Sequence, residues 1–164
     1  MTDLVAGATL VVAGTPLDSR SLWEGDATTG RRIVTYTRVK VDRLLDGTAQ
    51  DEVWVRTLGG EVGDIGQQVA GEAVLRAGQP SLLFLRGRTD GTLVVVGMGQ
   101  GQYPLENGPL GGTARVRSPL EGGHLVPRAG ALGAAQRSAR LALVGHTLDE
   151  VAQLVGAERR AHAR

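Results

Sequence analysis

The sequence contains no cysteine, which excludes a disulfide framework, a thiolate metal site and a cysteine nucleophile. Aromatic residues are scarce: the 164 residues include one Phe, two Trp and two Tyr. No apolar run reaches the length of a membrane-spanning helix, so no membrane span is predicted. A chain of this length fits one domain that can form a core without covalent cross-links.

The chain also has no large excess of positive or negative charge. There are 18 basic and 17 acidic residues, and Lys40 is the only lysine among the basic ones. A dedicated nucleic-acid binder needs a strong basic field to neutralise phosphates. Nucleic acid is therefore not the expected partner.

The residues that are abundant favour short strands and turns: hydrophobic residues make up 41% of the chain, and glycine occurs 25 times. The apolar run 8–14 predicts a first strand. Residues 31–45 alternate between two faces, with Ile33 and Val39 on one and Tyr36 and Lys40 on the other. This segment exceeds the usual five or six residues of a strand, which predicts a bent strand that serves two sides of a barrel.

Further strands follow along the chain. Residues 52–58 alternate with Val53 inward, and residues 68–76 form a weaker pattern in which Gly71 predicts a bulge. Residues 81–86 are apolar on both faces, which predicts a central strand. The Asp90-Gly91 pair then predicts a tight hairpin turn into 93–96.

These elements predict a mainly β fold: a five- to six-stranded, OB-like antiparallel barrel over residues 1–105. Residues 106–146 are expected to form an irregular extension with a long Gly- and Pro-rich loop and one short strand near 114–117. Thr147 and Glu150 form a capping-box pattern, which predicts a helix over 147–157 that ends near Gly156 and packs on the barrel. The tail 158–164 is expected to be frayed.

Each candidate catalytic or ligand-binding motif lacks a residue or a spacing that its chemistry requires. The glycine spacings at 60–66 and 97–101 lack the Gly-Lys-Ser/Thr triplet or the following helix that a phosphate-binding loop needs. His124, His146 and His162 are not spaced as metal ligands, and the paired carboxylates are read as turn and capping residues. We expect no enzymatic activity, no cofactor and no metal.

A binding surface is predicted on the outward faces of the second and third strands. Its candidate residues combine aromatic and basic side chains: Tyr36, Arg38, Lys40, Trp54 and Arg56. Such groups form protein hot spots and can also stack on bases. The alternative is that Trp54 packs beneath the C-terminal helix or the long loop, and we favour it slightly because a helix commonly covers one outer face of a barrel.

Longer stretches of residues 3–105 resemble a known group of proteins. The segment GGEVGDIGQQVAG at 59–71, followed by the hairpin and GMGQGQY at 97–103, resembles an uncharacterised β-domain family found in exported proteins of myxobacteria and related bacteria. That resemblance implies an exported, periplasmic or secreted domain, provided that Met1 is not the native start. If Met1 is the native start, a cytoplasmic location is expected, and the first residues show no signal-peptide pattern.

The order of the elements is similar, more distantly, to the netrin-like OB barrels of tissue inhibitors of metalloproteinases. The similarity rests on the initial DLV, the long alternating strand and the late LLFL–DG–L hairpin. The cysteines of those inhibitors are missing here, so no inhibitory residue can be carried over. The resemblance implies a barrel with a protein-binding or protease-regulating role.

Together, these observations predict a non-enzymatic domain that binds another protein. An oligonucleotide- or polysaccharide-binding OB module is the alternative, with Tyr36 and Trp54 as its stacking platform. A regulator that resembles the protease inhibitors is a further alternative.

Overall fold

The structure is a computed structural model that describes residues 1–25, 28, 30–48, 50–108, 112–118 and 139–163. The helices are α1 (Thr2–Gly7), α2 (Ala139–Leu143) and α3 (Leu148–His162), and a 3₁₀ turn spans Met98–Gly101. The strands in chain order are β1 (Leu10–Glu24), β2 (Arg32–Asp46), β3 (Glu52–Leu58), β4 (Gly60–Val62), β5 (Ile65–Gln67), β6 (Ser81–Gly87), β7 (Leu93–Val95), β8 (Gln102–Gly108) and β9 (Gly112–Val116).

Five of these strands form a closed barrel in the order β1-β2-β3-β7-β6, because β6 also pairs with β1. Strands β3 and β7 run parallel and meet at Val55 and Leu93. The other barrel pairings are antiparallel. A mainly β chain with this barrel and a C-terminal helix confirms the predicted OB-like fold.

The two longest strands bend where one of them carries an extra residue. In the pairing of β1 with β2, Asp42 and Leu45 of β2 and Leu17 of β1 fall at register shifts. Such bulges increase the local twist and let a long strand curve around a barrel. The bent strand predicted over 31–45 is confirmed, and β1 proves to be equally long.

Two hydrophobic cores lie on opposite sides of the same strands. The barrel interior contains Leu10, Val12, Leu83 and Leu85, together with residues of β2, β3 and β7. The second core lies outside the barrel, between its wall and the helices, and consists of Leu4, Val5, Ala8, Val11, Leu82, Phe84, Tyr103, Val116, Leu143, Val151 and Val155. Because successive side chains of a strand point to opposite faces, β1 and β6 supply both cores. This explains why residues 81–86 are apolar on both faces.

Helix α3 begins as predicted but ends later than predicted. The Thr147 hydroxyl accepts a hydrogen bond from the Glu150 backbone N–H, and the Glu150 carboxylate accepts one from the Thr147 N–H, which completes the capping box. The helix then continues through Gly156 to His162. The expected end near residue 157 and the frayed tail were wrong because Arg159 is anchored: its Nη2 donates to the Ala8 carbonyl at 2.6 Å and its Nε to Asp46 at 2.9 Å.

Other local predictions also need correction. Residues 68–76 do not form a strand, and Gly71 lies in a turn with φ +78°. The extension 106–146 contains the end of β8, the strand β9 and the helix α2, while residues 119–138 of that predicted loop lie outside the described residues. The short strand expected near 114–117 corresponds to β9. Pro104 within β8 and the shortness of α1 and α2 hid these elements from periodicity analysis.

The glycine-rich segment after β3 folds into the β4–β5 hairpin, which packs across β1 and β2. The Gly59 carbonyl accepts a hydrogen bond from the Thr35 hydroxyl at 2.7 Å. Gly60 has φ +130°, and a Cβ built on it would lie 2.3 Å from Thr35 Oγ1 and 2.4 Å from Ser21 Oγ. Only glycine fits this position without a shift of its neighbours.

Replacing Gly60 by alanine should therefore destabilise the protein more than the same change at Gly63. Gly63 also has a positive φ of +60°, but a Cβ there would meet nothing within 4 Å. We expect Gly63→Ala to cost about 1 kcal/mol of unfolding free energy from backbone strain alone. Gly60→Ala should cost about 1–3 kcal/mol more because of overpacking. Urea denaturation of both variants tests this, and equal losses would contradict the proposed packing of the hairpin.

Candidate functional site

The predicted binding residues lie on neighbouring positions of β2 and β3. Tyr36 is opposite Arg56, and Arg38 is opposite Trp54, a register that the sequence had left open. Lys40 is opposite Glu52. Since Val39, Val53 and Val55 between them point into the barrel, these six side chains share the outside. We call Tyr36, Arg38, Lys40, Glu52, Trp54 and Arg56 the β2–β3 outer face.

Trp54 is not covered by the C-terminal helix. The residue is 46% exposed, which is high for the largest apolar side chain of a domain. The slightly favoured expectation was cover by the C-terminal helix or by the long loop, and residues 119–138 of that loop lie outside the described residues. Cover by the helix was wrong, because α3 packs on a different part of the barrel. There the apolar outward residues Val11, Leu82 and Phe84 bury Val151 and Val155 of the helix in the second core.

Arg38 is held in place by two carboxylates. Its Nη2 and Nε donate to the same oxygen of Asp18 at 2.5 and 3.1 Å, and its Nη1 lies 3.4 Å from Glu52. The hydrogen bond to Asp18 raises the pKa of the Arg38 guanidinium. These contacts orient a half-exposed guanidinium beside Trp54 and neutralise its charge.

Lys40 is also paired. Its Nζ lies 3.3 Å from Asp42, which accepts a second contact at 2.5 Å from the Thr15 hydroxyl. Both members of this ion pair are partly exposed, and such pairs contribute only about 0–1 kcal/mol. This ion pair matters for the charge of the site, because Asp42 offsets the positive charge of Lys40 near Trp54.

Arg56 was predicted to be an exposed binding residue, but its side chain is only 8% exposed. It forms a fork with Glu24 at the end of β1: Nε donates to both carboxylate oxygens at 3.1 Å, and Nη2 donates to Oε2. The Tyr36 hydroxyl donates to the same carboxylate. Arg56 was expected to contact a partner directly, but it instead belongs to a buried polar cluster beneath that face.

The charges of this cluster stabilise each other. The hydrogen bond from Arg56 lowers the pKa of the Glu24 carboxyl below its ordinary value of 4.5, and burial opposes part of that shift. Burial, followed by the neighbouring Glu24 carboxylate, raises the pKa of the Tyr36 hydroxyl. Glu24 is therefore ionised and Tyr36 neutral across the physiological range, which fixes Tyr36 as the donor.

Further arginine contacts lie near Glu24, at the end of the barrel where β1 finishes. The Arg31 guanidinium lies over the Trp23 ring at 5.0 Å from its centroid, a cation–π contact. In the turn between β6 and β7, Arg88 pairs with Asp90 at 3.0 Å, and Asp90 also accepts the Thr92 backbone N–H at 3.0 Å. The strands thus place a second aromatic–arginine pair at the same end as Glu24.

The acidic residues that organise the site, Asp18 and Glu24, were not predicted from the sequence. Asp18 and Glu24 belong to β1, whereas the first strand was predicted to end near Gly14. Gly14, Pro16 and Asp18 after the apolar run had indicated the end of that strand. Every second residue of this part of β1 lies on the same face: Asp18, Arg20, Leu22 and Glu24. That period of two is the sequence signal that could have extended the predicted strand.

A separate cleft lies away from this face, between residues 72–80 and β8. Its volume is about 350 Å³, and its lining includes Val74, Arg76, Gln102 and Arg117. The Gln102 side-chain amide donates to the Val74 carbonyl at 2.7 Å and accepts its N–H at 2.9 Å, as a strand would. This clamp holds the segment whose Ala73 and Leu75 pack into the barrel interior.

Within the described part of the chain, no group of three or more His, Asp or Glu residues is arranged to hold a metal ion. His146 lies 3.4 Å from Glu150 at the start of α3, and His162 contacts the Glu158 carbonyl; His124 lies outside the described residues. The glycines at 60–66 build the β4–β5 hairpin, and those at 97–101 build the 3₁₀ turn.

No protein-family model matches the chain, and no curated protein matches it. Among the described helices, none has both the length and the apolar character needed to cross a bilayer.

Replacing Glu24 by glutamine should destabilise the protein by leaving the Arg56 charge buried without a carboxylate. A fully buried cation that loses its partner costs about 3–5 kcal/mol, and because Glu24 retains 24% exposure we expect a loss of about 2 kcal/mol. The pKa of Glu24 is lowered in the folded state, so its contribution is present above about 4.5 and disappears as the pH falls through the folded-state pKa. The difference in unfolding free energy between wild type and Glu24→Gln should therefore be largest near neutral pH.

The matched control is Glu52→Gln, which removes an exposed carboxylate from the same face. Its loss should lie within about 1 kcal/mol at every pH. Equal, pH-independent losses in both variants would show that the Glu24 cluster does not carry the stability assigned to it.

Proposed function

We propose that this chain is a non-enzymatic binding domain whose partner is another protein, and that the β2–β3 outer face is its contact surface. The observation that carries the proposal is the exposure of Trp54, 46%, in the middle of a rigid sheet. A large aromatic side chain left half-exposed on a sheet is a typical anchor of a protein interface.

The surroundings of Trp54 support this function. Arg38 lies directly opposite and is already oriented by Asp18 and Glu52, so little side-chain entropy remains to be lost on binding. Trp, Tyr and Arg are the residues most enriched among hot spots. Beneath them, the Arg56–Glu24–Tyr36 cluster stiffens the strands that present the face.

The charge pattern favours a protein over a nucleic acid. Arg38, Lys40 and Arg56 each have a carboxylate partner, and the net charge of the chain is +1. A phosphate backbone would have to compete with those carboxylates for every cation of the face. An oligonucleotide- or polysaccharide-binding OB module is the second candidate, favoured by stacking surface on Trp54 and on the Trp23–Arg31 pair.

The sequence resemblance to exported β-domains supports a partner outside the cytoplasm. The more distant similarity to netrin-like inhibitors supports a protease or a protease-regulating protein as one class of partner. A search for the partner should therefore begin with secreted proteins and proteases.

The proposal predicts that Trp54→Ala weakens partner binding by about 25-fold or more, which corresponds to a hot spot of 2 kcal/mol. The partner is first captured on immobilised wild-type protein from the lysate and the secreted fraction of the source cells. Its affinity for wild type and variants is then measured by surface plasmon resonance. Because Trp54 is half-exposed, the variant should keep the wild-type unfolding midpoint within a few degrees.

Ile65→Ala is the matched control, since Ile65 is an exposed apolar residue at 55% on the separate β4–β5 hairpin. It should bind like wild type. If neither Trp54→Ala nor Arg38→Ala weakens the complex, this face is not the binding site. If labelled single-stranded oligonucleotides instead bind saturably at low salt and lose affinity both with added salt and in Trp54→Ala, the nucleic-acid alternative replaces the proposal.

A further inference from the structure

Among the described residues, one edge of β1 has no strand partner over its second half. Strand β1 pairs with β2 along its length but with β6 only from Leu10 to Gly14. The Gly78 N–H donates to the Pro16 carbonyl at 2.8 Å, and beyond that point no strand of the described chain pairs with this edge. Residues 17–21 are therefore an open edge, which can accept another strand.

The β4–β5 hairpin does not occupy this edge. Ser21 and Thr35 contact each other at 2.8 Å across the β1–β2 pair, and Gly60 packs against both hydroxyls. A segment that contacts a cross-strand pair lies on the face of the sheet and leaves the hydrogen-bonding edge accessible.

The charges along this edge alternate in sign on one face. Asp18 and Arg20 are two residues apart and point to the same side of β1. The Asp18 side chain remains 55% exposed although it holds Arg38. Arg20 is exposed, and within the part of the chain that the structure describes no side-chain hydrogen bond or ion pair involves it.

We propose that a second copy of this chain pairs with this edge, antiparallel and centred on Ser19. In that register, Asp18 of each copy lies opposite Arg20 of the other, so the two-fold symmetry forms the same ion pair twice. Opposite charges directly across an antiparallel pair are stabilising. Each Arg20 then gains the carboxylate partner that it lacks within one chain.

Neighbouring registers are disfavoured by the same charges. Centring the pair on Asp18 would place the two Asp18 carboxylates opposite each other, and centring it on Arg20 would do the same for the two guanidinium groups. Like charges directly across a strand pair are destabilising. The sequence of this edge therefore selects both a register and a second copy of itself as the occupant.

The dimer would join two binding surfaces into one. Asp18 already binds Arg38, which lies opposite Trp54, so an intermolecular β1–β1 pair would continue the β2–β3 outer face from one copy into the next. A partner that engages both copies would gain avidity. That consequence depends on the proposed function, whereas the dimer itself does not.

Sedimentation equilibrium over a range of protein concentrations tests the dimer. The edge is short and places the interface in the small, weak class, so the average mass should rise with concentration from 17.1 kDa towards twice that value. Arg20→Asp should abolish this rise, because it sets two carboxylates against each other. The charge-swapped variant Asp18→Arg/Arg20→Asp should restore it.

Arg86→Asp is the matched control: Arg86 is an exposed arginine on β6, away from this edge, and the same charge change there should leave association intact. Thermal unfolding of each variant verifies that it is folded. A mass of one chain at every concentration, or an Arg20→Asp variant that still associates, overturns the proposal, and so does a charge-swapped variant that stays monomeric. Trp54→Ala should dimerise like wild type, which separates this test from that of the binding face.

Discussion

The structure depends on one constraint: β6 and the first part of β1, residues 10–14, are apolar on both faces and must be buried on both. Leu10, Leu83 and Leu85 fill the barrel, while Val11 and Phe84 face outward. Each fully buried side chain of this kind contributes about 1.5–3 kcal/mol, so leaving the outward row in water would be costly. The helices α1 and α3 cover that row, and they leave exposed the part of β2 and β3 that carries Trp54.

The polar residues follow the same division. On the wall left accessible, acidic residues from β1 and β3 each meet a cation of β2 or β3: Asp18 and Glu52 hold Arg38, and Glu24 holds Arg56. The exposed pair adds little to stability, whereas the buried pair has to stay intact because neither charge is tolerated alone. The result is a rigid surface of aromatic and polar groups with almost no net field.

Much of this fold follows from local patterns in the sequence. Alternation over 31–45, the two-sided apolarity of 81–86 and the Asp90-Gly91 turn identified the central strands, and the Thr147–Glu150 capping box located the start of α3. The site was harder to predict. The positions of Trp54 and Arg38 followed from strand pairing, but the burial of Arg56 depends on Glu24, whose strand was hidden by Pro16 and a polar sequence. The strands that α3 covers are set by contacts between residues far apart in the sequence. The apolar residues on both faces of β6 were the one local sign that its outer face is covered.

The contact between the two ends of the chain has a consequence for how this domain can be arranged within larger assemblies. The Thr2 hydroxyl donates to Glu158 at 3.2 Å, and Arg159 reaches the Ala8 carbonyl, so α1 and the end of α3 lie side by side. Polypeptide attached before α1 and after α3 would emerge from neighbouring points. A domain with this geometry can be inserted into a loop of a host protein or tethered at either end.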